Sequence, residues 1–95
     1  MEDKKNVLEQ GIGSVGKLKI LRALAEDRKL ATIYSLHKKT RLKRDDIKSN
    51  LDDLIEIGWV KQNKLANVVY GLNRDDLTLQ LVLQLFSQAG YLDQP

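Results

Sequence analysis

Ninety-five residues allow one domain, and a chain of this length buries only a modest core. With 42% apolar residues, six glycines and one proline, the composition fits a compact, mostly helical domain and argues against disorder. The net charge of +3 is mild, and the absence of cysteine excludes disulfides, thiolate metal sites and cysteine nucleophiles.

Residues 1–12 mix charge with Val7, Leu8 and Ile12 and read as a flexible lead-in carrying at most one locally packed helical turn. They contain no apolar signal region. Gly11, Gly13 and Gly16 follow no strand and complete neither GxGxxG nor GxxxxGK[ST], so they read as the approach to a helix rather than a phosphate loop. Ser14 is placed to cap a first helix over 15–25, with Val15, Leu18, Leu21, Leu24 and Ala25 on its buried stripe and Ile20 widening it. A polar turn from Glu26 to Lys29 follows, and Leu30 and Ala31 leave room for a short extended segment.

Thr32 suits the cap of a second helix over 33–39, with Ile33, Leu36 and Tyr34 expected inward. Three residues, Thr40 to Leu42, then separate it from a third helix, which is the spacing of a helix-turn-helix. Leu42 sits where a turn residue plugs the gap between the helices, and Arg41 occupies a position where glycine is often found. The third helix, 44–57, places Ile47, Leu51, Leu54, Ile55 and Gly58 on one face. Its other side carries Asp45, Ser49, Asp52, Asp53 and Glu56, with Lys48 on the flank. Lys38, Lys39, Arg41, Lys43 and Arg44 crowd its start, and eight of the sixteen basic residues lie between Lys38 and Lys64. A helix with an apolar inner face and its first turns inside a basic cluster suits a DNA groove. A solvated surface helix behind a charged loop is the plainer alternative.

Beyond Gly58, two strand-like runs, 59–62 and 68–72, flank a tip at 63–67 with Lys61 and Lys64 beside it. A lone hairpin is marginal, so this one must pack on the helices, and Leu30 is a candidate for a third short strand. Asn73 with Asp76 resembles a capping pair for a last helix, 74–89, closed by Gly90. Its apolar residues occupy more than one face, and only Gln80, Gln84 and Ser87 form a polar line. A small monomer cannot cover such a helix, so it is expected to pair with its copy in a second chain through Leu79, Val82, Leu83 and Phe86. The uncharged run 77–92 is too short and too polar to span a membrane, and a cytoplasmic location is expected.

This order of elements resembles the winged helix-turn-helix transcription regulators of bacteria and archaea, especially the arsenic-repressor-type (ArsR-like) architecture. The resemblance is carried by GSVGKLKILRALAE (13–26), LKRDDIKSNLDDLIEIGWV (42–60) and VVYGL (68–72), and extends over about residues 13–89. It implies a mainly α fold with a small β-hairpin. A DNA-binding domain would span 13–73, and a dimerisation helix and tail would span 74–95. It further implies DNA-facing Lys43, Arg44, Asp45, Lys48 and Ser49 at the start of the recognition helix. Thr32 and Lys39 would meet phosphate before it, Lys61 and Lys64 would do so from a wing at 61–70, and Arg41 is a further DNA-binding candidate. Arg44 and Lys48 can donate to guanine O6 and N7, Asp45 can accept from cytosine N4, and Lys43 suits phosphate.

Two features depart from that pattern. With no cysteine and a single histidine, His37, metal sensing is not supported, and no metal or other cofactor is expected. Asp45, Asp46, Asp52, Asp53 and Glu56 also make the recognition helix unusually acidic, although the first two favour a helix N-terminus. The resulting expectation is a homodimeric DNA-binding transcription regulator with double-stranded DNA and its own copy as partners, no membrane contact and no specified effector. No nucleophile–histidine pair, metal-ligand set or phosphate loop assembles, so no catalysis is expected. The alternatives are a winged-helix protein-interaction module in a transcription or chromatin assembly, or an architectural DNA-coating protein. Small winged-helix proteins without cysteine are common in archaea, and the resemblance hints at that source.

Overall fold

The structure is a computed structural model that describes residues 9–26, 30–64 and 66–92. Its elements are α1 (Val15–Glu26), α2 (Ile33–Thr40), α3 (Arg44–Glu56), β1 (Val60–Lys64), β2 (Val68–Leu72) and α4 (Leu77–Gln88). Residues 9–12 are also helical. Gly11 in that segment is buried under Trp59, where a β-carbon would overlap the indole ring. Of the expected lead-in, residues 9–12 thus hold one helical turn fixed by a close backbone approach, while residues 1–8 of it, and 27–29 of the expected polar turn, lie outside the described residues.

Local chemistry sets the helix ends. Thr32 Oγ1 accepts from the Ser35 N–H at 3.1 Å while Ser35 Oγ accepts from the Thr32 N–H at 3.0 Å, a reciprocal cap for α2. α3 stops at Gly58, whose φ of 84° is left-handed. Gly58 N–H donates to Ile55 O and Trp59 N–H to Leu54 O, each at 3.0 Å, so two carbonyls otherwise orphaned at the helix end are satisfied. The fully buried pair Leu54 and Trp59 supplies the hydrophobic contact of that motif. α4 ends the same way at Gly90, with Tyr91 N–H donating to Phe86 O at 2.8 Å and the two rings meeting edge-on at 5.0 Å.

The capping expectation for α4 needs a correction. Asp76 Oδ1, not Asn73, accepts from the Leu79 N–H at 2.9 Å, and the helix starts three residues later than expected. Asn73 is occupied elsewhere: its amide donates to Gly58 O at 2.8 Å and its backbone N–H to Trp59 O at 2.8 Å. This ties the far end of the hairpin to the end of α3.

Ile20, Leu21, Leu24, Leu36, Ile47, Leu51, Leu54, Trp59 and Leu79 form the centre of one core, edged by Val60, Tyr70, Val82 and Phe86. β1 and β2 pair antiparallel, Val60 opposite Leu72 through Lys64 opposite Val68. Ala31, rather than Leu30, adds a one-residue third strand, exchanging hydrogen bonds of 2.8 and 2.7 Å with Tyr70. Several side chains expected inward or at an interface lie differently. Val15 and Tyr34 are exposed, because neither falls on the side of its helix that faces the core. Leu79, Val82 and Phe86, expected at a dimer contact, are enclosed in the chain's own core, and Leu83 packs half-buried against its edge.

Candidate nucleic-acid interface

The turn between α2 and α3 sets the angle at which α3 leaves the domain, and it is fastened by several bonds. Arg41 adopts the left-handed conformation with φ 64°, and its N–H donates to His37 O at 2.8 Å. Thr40 Oγ1 donates to Leu36 O at 2.7 Å and accepts from Leu42 N–H at 3.2 Å. His37 Nδ1 lies 2.7 Å from Leu42 O, so that ring nitrogen carries the proton it donates. The lone histidine thus works as a clamp on the turn. Leu42 packs half-buried against the core and plugs the gap.

From this anchor α3 presents two distinct flanks. At about 100° per residue, Ile47, Leu51 and Leu54 point to the core, and Arg44 and Lys48 fall together on one side of that line. Asp46, Asn50 and Asp53 fall on the other side, towards α1. There Asp53 pairs with Lys17 at 2.9 Å. One of the acidic residues that weighed against nucleic-acid contact is therefore neutralised within the fold. Asp45 and Asp46 occupy the first turn, where the helix dipole favours carboxylates.

All the sequence-nominated residues of α3, Lys43, Arg44, Asp45, Lys48 and Ser49, are exposed. Lys43 stands at the N-cap and its side chain makes no capping bond, leaving the ammonium unengaged by the helix end. Arg44 lies 5.8 Å and Lys38 5.4 Å from the ring centroid of Tyr34, which is 57% exposed. Tyr34 and Lys38 were not among the nominated residues, and the signal for them is the i, i+4 spacing on α2 that places both beside Arg44. An aromatic ring holding two cations at its face restrains their reach. Thr32 is half-buried and engaged in its cap, with a hydroxyl proton still free to donate. Lys39 and Arg41 are exposed and line a groove with α1.

On the wing, the pleat separates the two lysines. Gln62 and Lys64 share the face of Val60 and Tyr70, whereas Lys61 and Asn63 lie on the other. Both lysines are exposed, but they do not present to one surface together. Gln62 donates to the Tyr70 hydroxyl at 3.3 Å and ties the first face to the core edge.

At the far end of the chain, α4 leaves Leu77, Leu81 and Leu85 exposed at 74%, 66% and 58%. They recur every fourth residue and lie roughly opposite the side that buries Leu79, Val82 and Phe86. Among the described residues, no group of three His, Asp or Glu side chains is placed to hold a metal ion, and no helix is long and apolar enough to cross a membrane.

The structure matches the crystal structure of an ArsR family transcriptional regulator with a TM-score of 0.65 and 17% identity, over 97% of this chain and 100% of that one. An ArsR-like transcriptional regulator from Rhodococcus sp. RHA1 matches with a TM-score of 0.67 and 18% identity, over 93% of this chain and 81% of that one. The fold is the ArsR-type winged helix. In that fold α2 and α3 are the helix-turn-helix, β1 and β2 the wing, and α4 the C-terminal helix. No protein-family model matches the sequence, and no curated protein matches it at a significant level.

Proposed function

We propose that the protein is a homodimeric DNA-binding transcription regulator that reads a major groove with the start of α3 and touches the backbone with its wing. The observation that carries this reading is the exposed cationic flank of α3, Arg44 and Lys48 with Lys43 at the cap, on a turn fixed by Arg41, Thr40 and His37. Base edges in the major groove are read by such donors at a helix start, provided the helix is held rigidly. Lys39 and Arg41, with Thr32, fit phosphate contacts before the groove, and Lys61 or Lys64 fits one after it. The likeness to the two transcriptional regulators supports the same reading. For the second copy, the supporting feature is the leucine edge of α4, three large apolar side chains in a row left exposed among the described residues.

The test is fluorescence anisotropy on mixed genomic duplexes across a salt series. Binding that weakens linearly in log–log form, by about 0.9 per phosphate neutralised, supports the proposal. A chain that binds no duplex at low salt contradicts it. That result would favour a second reading for which Asp45, Asp52 and Glu56, exposed along the outer ridge of α3, speak: a module that docks a basic protein partner.

A further inference from the structure

Away from the start of α3, the polar groove of about 390 Å³ between α1 and the end of α2 is lined by Lys19, Arg22, Glu26, Lys39, Thr40 and Arg41. Four cations face one carboxylate there. The remaining sequence holds twelve basic and twelve acidic residues, so the formal charge of this groove equals that of the whole chain, +3. Lys19, Lys39 and Arg41 are exposed, whereas Arg22 is half-buried. Arg22 is braced with its guanidinium carbon 4.9 Å from the Tyr91 ring centroid, and its nearest carboxylate oxygen, on Glu26, lies 3.8 Å from Nε. That Nε is buried and has no hydrogen-bond partner among the described residues.

Arg41 supplies an independent observation. Its backbone is left-handed, a conformation only glycine adopts without penalty, and it is the one described non-glycine residue with positive φ. Arg41 is one of the residues that line the groove, so the left-handed turn brings a cation to it. The carbonyls at the end of α2 would normally repel an anion. Here Leu36 O and His37 O already accept from Thr40 Oγ1 and the Arg41 N–H.

From these features we infer that the groove is a binding site for a phosphate-bearing anion. Its excess of three positive charges matches a di- or trianion rather than a monocarboxylate, and the arginine forks suit phosphoryl oxygens. The occupant is either a free phosphorylated small molecule or a backbone phosphate of DNA. The site shares Lys39 and Arg41 with the proposed DNA surface, yet it stands without that reading, because Lys19 and Arg22 come from α1.

The experiment titrates inorganic pyrophosphate into the full chain by calorimetry at low salt. It is repeated with Arg41→Gly, with the double variant Lys19→Gln/Lys39→Gln, and with Arg74→Gln as a cation outside the groove. Melts followed by Trp59 fluorescence verify that each variant is folded. One-site binding that both groove variants weaken by about tenfold or more, and that Arg74→Gln leaves unchanged, supports a free anion. Absence of saturable pyrophosphate binding, with a duplex salt slope reduced by about two phosphate contacts in the double variant, assigns the site to the DNA backbone. Pyrophosphate binding that the groove variants do not alter overturns the inference, as does absence of binding with an unchanged salt slope. If the chain binds no duplex at all, the DNA reading fails and the pyrophosphate titration alone decides the groove.

Discussion

At the scale of single residues, Arg41 carries the sharpest consequence. A left-handed L-residue costs about 1–2 kcal/mol, and glycine at that position removes the cost while adding chain entropy to the unfolded state. Arg41→Gly should therefore stabilise the fold by about 1 kcal/mol, raising the melting temperature by about 4–8 °C for a domain of this size. The same variant should lose affinity for anions, and a melt beside a binding titration checks the trade. Thr32→Ala removes the reciprocal cap on α2 and should cost about 1 kcal/mol in a chemical denaturation curve. Both positions were legible in the sequence, Thr32 as a cap and Arg41 as an occupant of a glycine position, because caps and turns depend on chemistry a few residues away. Tyr34 was not legible. In an eight-residue helix two apolar neighbours leave the inner face poorly defined, and the ring turned out to lie at the surface between Lys38 and Arg44.

At the scale of elements, the helix-turn-helix and the wing followed from periodicity, spacing and glycine stops, and the structure moved their limits by only a few residues. α4 shows where that reasoning fails. With leucine on two faces, the sequence could not say which face meets the core; the packing of Leu79, Val82 and Phe86 into the cluster built by the other helices decides it, and that is a tertiary outcome. The dimer-facing nominees Leu79, Val82 and Phe86 became core, and Leu77, Leu81 and Leu85 became the outer edge. The two faces should respond differently. Leu79→Ala opens a cavity and should cost about 2–5 kcal/mol in denaturant unfolding. Leu81→Glu should leave the subunit folded while converting dimer to monomer by light scattering. A wild-type chain that is already monomeric at high concentration would contradict the pairing of α4.

At the scale of the whole molecule, placement of charge matters more than its total. The formal +3 was readable from composition, but its concentration between α1 and α2 was not, since Lys19 and Arg22 stand some twenty residues from Lys39 and Arg41. Likewise Asp53 looked like a liability on α3 until folding set it against Lys17. The DNA reading divides the surface into groups with separate duties. Arg44→Ala should weaken specific sites and relax base preference by about 1–3 kcal/mol at one position, whereas Lys64→Ala should weaken all sequences alike and lower the salt slope by about one. Affinity measured on specific and random duplexes separates them, and equal losses on both for both variants would refute the division.

Whether two copies of α3 address one duplex from a rigid paired scaffold is decided by selecting bound DNA from a random duplex pool. A paired α3 should enrich two inverted half-sites centred about 10–10.5 base pairs, or a multiple of that, apart. A pool that stays random after repeated selection at low salt would contradict it.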